Sequence, residues 1–257
     1  MIHAVINDMF SPEQAEAHLA LIRTHLLGPD GGRLFDKPMA YHGGIQTNFQ
    51  RAESASFFGR EIGIMYMHAH LRYCEALARF GDADAFFHAL SQLNPIAIRD
   101  LVKTATLRQA NCYYSSSDAA FQDRYEAYDE YGRVNSGDVD LEGGWRVYSS
   151  GAGIGVRLIM QCFLGLRMEK DSLVIDPVIP IALDGLRIRV RHIGIDASVI
   201  YQTGETGRGP VSAELNGTPL EFTREENPYR PAGIRIPMAA WNNLITGTND
   251  TLVIRLS

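Results

Sequence analysis

The amino-acid sequence predicts a fold that is mainly α and then β. Three observations support this fold class. Apolar residues recur at helical spacing up to about residue 164, they alternate with polar residues after Gly165, and an Asn216-Gly217 pair marks a tight hairpin in the second part. We therefore expect two domains, residues 1–168 and residues 169–257, with a boundary near residue 170.

The helical part begins with a clear start signal in segment 11–14. It combines a Ser cap, a Pro at the first helical position and a Gln three residues after the cap, so a helix should run to about Leu27. Residues 60–80 carry a broad apolar face and predict a second, largely buried helix. Asp82 then caps a third helix that ends before Pro95, and the second and third helices form a hairpin.

Two stretches, 35–58 and 104–144, lack clear periodicity and are predicted to be mostly irregular, with a short helix at 96–102 between them. A long irregular segment inside a compact domain is more often functional than a linker. After residue 170, short apolar runs predict strands and together indicate an antiparallel sandwich. These runs are 172–177, 185–191, 197–201, 212–215, 233–236 and 251–256.

The composition is that of a globular protein, with 257 residues, 46% hydrophobic and 21% charged. A net charge of −6 and the absence of Lys/Arg runs argue against a nucleic-acid partner. No apolar window is long enough to predict a membrane span, and the N-terminus lacks the pattern of a signal peptide. Three widely spaced cysteines favour a reducing, cytoplasmic location.

Residues 149–155 read Ser-Ser-Gly-Ala-Gly-Ile-Gly and precede a predicted buried helix at 156–164. A glycine-rich loop that opens a helix concentrates free N–H groups at the positive end of the helix dipole. We hypothesise that this loop binds phosphate. A simple Ser-capped turn is the alternative. A dinucleotide motif is disfavoured because Val156 occupies the position of its third glycine.

His68 and His70 lie two residues apart in the second predicted helix, downstream of Arg60 and Glu61. Residues two apart on a helix point in different directions, so we predict no metal site. Each histidine is either a hydrogen-bonded core residue or a cavity residue that binds an anion or a sugar hydroxyl. Carboxylates in 118–142 lie among tyrosines, a mixture that suits sugar binding, although a solvated loop is the alternative reading.

Several motifs, taken in their fixed order, resemble glycoside hydrolase family 94. This family contains cellobiose, chitobiose and β-1,2-oligoglucan phosphorylases and the cyclic β-1,2-glucan synthases. The motifs are EIGIMYMHAH (61–70), GD (81–82), LNP (93–95), YSSGAGI (148–154), LGL (164–166) and IDPVIP (175–180). Segments 111–118 and 143–146 are most similar to the β-1,2-oligoglucan phosphorylases. The resemblance covers roughly residues 30–200.

The resemblance implies the C-terminal part of an (α/α)6 barrel followed by a small antiparallel β-sandwich. It also implies inverting phosphorolysis, in which phosphate attacks the anomeric carbon and an Asp protonates the departing oxygen. The phosphate-binding His of the family maps onto His68, and its Ser/Thr-Gly turn maps onto Ser149, Ser150 and Gly151. Glu61 matches an acidic position of the sugar site, for which Arg60, His70 and Asp118 are further candidates.

In the family, the general-acid Asp lies upstream of the segment that this chain matches. We therefore expect the chain alone to be inactive and to need an upstream-encoded chain that completes the barrel. Inorganic phosphate is the expected co-substrate, with no other cofactor, and a homo-oligomer is expected. Two further hypotheses stay open: a non-catalytic carbohydrate- or phosphate-binding remnant, and a fragment of a cyclic β-1,2-glucan synthase.

Overall fold

The computed structural model describes residues 2–37, 65–93, 98–105, 116–143, 149–192 and 194–257. Its helices are α1 (Ile2–Ile6), α2 (Pro12–His25), α3 (Met67–Phe80), α4 (Ala83–Ser91), α5 (Ile98–Leu101), α6 (Arg124–Glu130), α7 (Gly132–Ser136), α8 (Ser149–Leu158) and α9 (Met238–Asn242). One π-helical turn, Ile159–Phe163, follows α8. None of the helices in these ranges is long and apolar enough to cross a membrane.

The strands confirm that the second part of the chain is built from sheets. They are β1 (Leu27–Gly28), β2 (Gly31–Gly32), β3 (Met65–Tyr66), β4 (Ser116–Ala119), β5 (Leu141–Gly143), β6 (Leu166–Glu169), β7 (Ser172–Ile175), β8 (Arg187–His192), β9 (Ile195–Gln202), β10 (Pro210–Leu215), β11 (Thr218–Pro219), β12 (Thr223–Arg224), β13 (Ile234–Pro237) and β14 (Thr251–Leu256). The last helical turn ends at Phe163 and β6 begins at Leu166. The division into domains at residues 168 and 169 stays a prediction.

Local signals set the ends of the first helices, as predicted. Ser11 and Gln14 form a reciprocal capping box at the start of α2, with backbone-to-side-chain distances of 3.2 and 2.9 Å. Helix α3 ends at Gly81, whose φ of +95° suits a glycine. Asp82 then caps α4 by accepting a hydrogen bond from the Ala85 amide at 3.1 Å. The predicted helical hairpin is therefore present as α3 and α4.

The predictions for two other segments were wrong. Met65 and Tyr66 belong to β3 rather than to the helix, because their backbones pair with β4; residues 60–64 lie outside the described ranges. Segment 104–144 was expected to be irregular, yet it contains β4, β5, α6 and α7 around a small core of its own. These elements are only a few residues long, so they show too little periodicity to be recognised from sequence.

The strand-rich part contains two larger sheets, with strand orders β12-β13-β7-β6 and β11-β10-β14-β9-β8. Buried residues of both sheets belong to one hydrophobic core, which includes the fully buried Trp241 and Tyr201. The first sheet is antiparallel as expected. The second is mixed, because β14 pairs with β9 in parallel. A long connection precedes β14, so nothing forces that strand into an antiparallel hairpin pairing.

The predicted hairpin at Asn216-Gly217 is confirmed. It joins β10 to β11, and the two residues have φ values of +53° and +79°. Positive φ at both central residues characterises the type I′ turn, whose twist matches that of the strands.

Three side chains from the strand-rich part close the C-terminal end of α3. The last carbonyls of a helix lack intrahelical donors, and cations are favoured near them. The hydrogen bonds run from Arg230 to the Ala78 carbonyl (3.2 Å), from Asn227 to the Arg79 carbonyl (3.0 Å) and from Arg208 to the Gly81 carbonyl (2.5 Å). We call these three side chains the α3 clamp.

Arg230, one member of the α3 clamp, is also half of a buried ion pair. Arg230 donates two hydrogen bonds to the carboxylate of Asp176, at 2.7 and 3.0 Å. The two side chains are only 3% and 10% exposed. A bidentate pair at this depth has good geometry, and removal of one partner leaves a buried, uncompensated charge.

We predict that Arg230→Ala lowers the free energy of unfolding by about 3–5 kcal/mol, because it leaves the buried Asp176 with only the more distant Arg167 guanidinium, 3.9 Å away. Urea denaturation of the two proteins measures the difference. The matched control is Arg189→Ala, which removes a partly exposed pair with Asp196 and should cost under about 1 kcal/mol. Equal losses in the two variants would show that the buried pair has no special structural role.

Candidate functional site

Helices α3 and α8 pack side by side and run in the same direction. Three contacts follow the two helices in step: Gly151 with Met67, Gly155 with Leu71, and Arg157 with Glu75. A Cβ added to Gly151 would lie 3.5 Å from the Met67 Cγ, and one added to Gly155 would lie 3.9 Å from a Leu71 methyl carbon. Because residue numbers rise together along both helices, their N-terminal ends lie at the same end of the pair.

The Gly/Ser segment 149–155 is part of α8 and not a loop that precedes a helix at Val156, as the sequence had predicted. Glycine is unfavourable inside a helix by about 1 kcal/mol relative to alanine. Here Gly151 and Gly155 lie against α3, so their lack of side chains permits close packing. The first amides of α8 belong to Ser149, Ser150 and Gly151, and such amides have no acceptor within the helix. The segment therefore still has backbone N–H groups at a helix start, which are the donors that an anion site needs.

His68 lies at this shared end of the helix pair. It is the second residue of α3, it directly follows Met67, and its side chain is exposed. The imidazole makes an edge contact with the ring of Tyr66, with centroids 6.4 Å apart. The positive ends of two helix dipoles, amides without an acceptor in their own helix and an imidazole are groups of the kind that bind anions.

His70 is a hydrogen-bonded core residue, which is one of the two roles that the sequence had left open for it. It is fully buried, its Nδ1 accepts a hydrogen bond from the Gly32 amide at 3.0 Å, and its Nε2 lies 2.9 Å from the Ala89 carbonyl oxygen. A neutral ring with the proton on Nε2 satisfies both contacts. Burial lowers the pKa of His70 to about 4. No ring nitrogen is left for a sugar hydroxyl, so His70 serves to join β2, α3 and α4.

For the other three sugar-site candidates, the structure describes at most the backbone. Arg60 and Glu61 lie outside the described residues. Asp118 is described through its backbone, in β4, which pairs with β3 at Tyr66 and Ser116. Since β3 leads directly into α3, the three-stranded sheet β3-β4-β5 brings Asp118 to the N-terminal side of that helix.

A charged cavity of about 230 Å³ lies between the C-terminal half of α3 and the end of α8 with the turn that follows it. The sequence had not predicted this cavity. Glu75, Arg157 and Asp176 contribute to its lining. Glu75 binds Arg157 at 2.7 Å, although the two residues are 82 positions apart in the chain. No sequence motif reports such a pairing. Cys162 also lines the cavity, and burial raises its pKa to about 11, so its thiol stays protonated near neutral pH.

Comparison with known proteins agrees with the motifs. Residues 165–251 match the family model described as a glycoside phosphorylase C-terminal domain. A 1,2-β-oligoglucan phosphorylase from Listeria innocua serovar 6a is 42% identical over 237 residues, which are 92% of this chain and 21% of that protein. The chain thus spans about a fifth of the length of this relative. The resemblance to β-1,2-oligoglucan phosphorylases is confirmed.

We predict that His70 makes stability depend on pH. Its pKa in the folded chain, about 4, lies below the ordinary value of 6.5, so the unfolded chain binds the proton more readily between these values. The contribution of neutral His70 is complete above pH 6.5 and is lost as the pH falls toward 4, by roughly 1.4 kcal/mol per pH unit. Urea denaturation at several pH values measures the slope.

The slope should be absent in His70→Gln and retained in His25→Gln, a control that changes an exposed histidine. A slope that is the same in His70→Gln would mean that other groups cause it.

Proposed function

We propose that this chain, a relative of the glycoside phosphorylases, forms part of an inverting phosphorylase that acts on β-linked gluco-oligosaccharides. Inorganic phosphate is the attacking co-substrate and glucose 1-phosphate is the product. The observation that supports this best is the parallel packing of α3 and α8, since it puts the amides of residues 149–151 and His68 at one end of the helix pair.

Phosphate binding would use three kinds of interaction. The free amides of Ser149, Ser150 and Gly151 donate hydrogen bonds, the dipoles of α3 and α8 favour negative charge, and the His68 imidazole adds a further donor. Hydrogen bonds to a charged group contribute more than those between neutral groups. The exposed position of His68 leaves its ring accessible to an anion from solvent.

In the proposed reaction a phosphate oxygen forms a bond to the anomeric carbon while the glycosidic carbon–oxygen bond breaks. A carboxylic acid delivers its proton to the departing sugar oxygen, and the configuration at the anomeric carbon inverts. Phosphate replaces both the water and the general base of an inverting hydrolase, so one protein carboxyl group suffices. We place this acid in a segment upstream of the part that the present chain matches.

The sugar would bind beside the phosphate, where α3 begins. Asp118 enters this region through the sheet β3-β4-β5, and Arg60 and Glu61 precede β3 in the chain. We further propose that the helices belong to an (α/α)6 barrel and that the two larger sheets form a β-sandwich. The single core shared by those sheets supports the second assignment.

We also propose that another polypeptide segment covers the exposed face of α8. Val156 and Ile159 are 61% and 46% exposed on α8 and the turn that follows it. Exposed neighbouring apolar side chains mark surfaces that another segment covers. The remainder of a phosphorylase barrel, from another part of the polypeptide or from another chain, would supply that cover.

We predict that a carboxylate at position 151 abolishes phosphate binding. Gly151→Asp places a negative charge in the first turn of α8, where it repels the anion, and its carboxylate extends from a Cβ that lies against Met67 and Leu71 of α3. Gly151→Ala is the matched control, because its Cβ meets only ordinary contacts at 3.5 and 4.0 Å. Titration calorimetry with inorganic phosphate should show binding to the Ala variant and none to the Asp variant.

In the same assay His68→Ala should weaken phosphate binding roughly tenfold, the loss of one hydrogen bond to a charged group, and His25→Ala should not. Equal phosphate affinity in Gly151→Asp and Gly151→Ala, or no binding to the unchanged chain, would refute the proposed site.

We predict that the chain by itself releases no glucose 1-phosphate from β-1,2-glucan and phosphate, because the general acid is supplied from elsewhere. A coupled enzymatic assay for glucose 1-phosphate measures this directly. Turnover by the purified chain would show that a carboxylate of this chain itself acts as the acid.

A further inference from the structure

A second cleft opens at the other end of α3, beside the α3 clamp. Its volume is about 440 Å³, within the usual range of ligand pockets. The turn between α3 and α4 forms one side, and residues 205–208 form another. None of its lining residues belongs to the phosphate or sugar groups proposed above.

One wall of this cleft is aromatic. Phe80 and Tyr229 both line it, with their ring centroids 6.0 Å apart and their planes tilted by 42°. Both residues are partly exposed. The hydroxyl of Tyr229 donates a hydrogen bond to the Phe10 carbonyl at 3.2 Å, which fixes the orientation of its ring. An oriented aromatic ring offers a flat apolar surface to a ligand.

Two carboxylates line the same cleft without partners. Asp84 and Glu205 are exposed, and neither makes a hydrogen bond or an ion pair with any residue in the described ranges. Asp82, by contrast, is occupied by the α4 cap and by an ion pair with Arg23. The cleft therefore presents two free acceptor groups.

Arg208 supplies a donor group to the cleft, and its place is fixed by Gly81. The guanidinium donates through Nη1 to the Gly81 carbonyl at 2.5 Å and its Nε is buried, so Nη2, which makes no hydrogen bond within the described part of the chain, is the donor left for a ligand. A Cβ on Gly81 would lie 2.8 Å from the Arg208 Cδ, so only glycine permits this approach. The donor is thus held rigidly at the edge of the cleft.

The charges of the lining decide between ligand classes. Three carboxylates and one guanidinium disfavour an anion such as phosphate. No group of three metal-ligating side chains occurs in the described ranges, which disfavours a metal ion. Free acceptors, a fixed donor and an aromatic surface match the hydroxyls and the apolar face of a pyranose ring.

We propose that this cleft is an accessory carbohydrate-binding site that holds a neutral gluco-oligosaccharide. The class of sugar rests on the proposed function; the binding chemistry rests on the cleft itself. Because the cleft and the candidate phosphate site lie at opposite ends of α3, a bound chain at the cleft would anchor the glucan to the protein away from the phosphate.

The test is titration calorimetry of the full chain with β-1,2-linked glucotriose. The double variant Asp84→Asn/Glu205→Gln should bind the trisaccharide roughly tenfold more weakly, because hydrogen bonds to charged groups are lost. Tyr229→Leu should also weaken binding, since it removes the aromatic surface. The matched control is Asp129→Asn/Glu221→Gln, which alters two exposed carboxylates outside the cleft and should leave affinity unchanged.

Unchanged affinity in the cleft variants, or no binding of glucotriose to the unchanged chain, would overturn this inference. The two proposals fail separately. If His68→Ala loses the sugar and the cleft variants keep it, the sugar binds at the other end of α3 and only the cleft proposal falls. If phosphate binding is absent but the cleft variants lose the sugar, the proposed phosphorylase function falls and the cleft stands.

Discussion

The hydrogen bonds that the α3 clamp donates to the end of α3 hold this helix against the strand-rich part of the chain. They join the helical part to the strand-rich part: the last carbonyls of α3 accept hydrogen bonds from two guanidinium groups and one side-chain amide. The ion pair between Arg230 and Asp176 compensates the charge of the buried guanidinium. With its C-terminal end fixed in this way, α3 becomes the reference for every neighbouring element.

Helix α3 has 14 residues and is therefore about 20 Å long. The candidate phosphate site lies at its N-terminal end and the proposed carbohydrate cleft at its C-terminal end. Close packing of α8 through Gly151 and Gly155 aligns a second helix dipole with the first. His70 holds β2 and α4 against the same helix by its two ring nitrogens. One helix thus positions both of the sites that we propose.

Local chemistry explains what the sequence predicted well. The capping box of α2, the Asp82 cap and the Asn216-Gly217 turn depend on residues within a few positions of one another, so their spacing is visible in the chain. The helical nature of 149–155 was missed because its three glycines disfavour a helix, while the packing of Gly151 and Gly155 against α3 depends on residues some 80 positions earlier. The parallel pairing of β14 and the α3 clamp depend on similarly distant partners.

We propose above all that inorganic phosphate binds where α3 and α8 begin. Titration of the isotopically labelled chain with phosphate, followed by nitrogen-15 NMR, tests this most directly. We expect the amide signals of residues 149–151 and the imidazole signals of His68 to shift together and saturate with one affinity, while the signals of Gly81 and Arg208 stay in place. Shifts confined to other residues, with these amides unmoved, would contradict it.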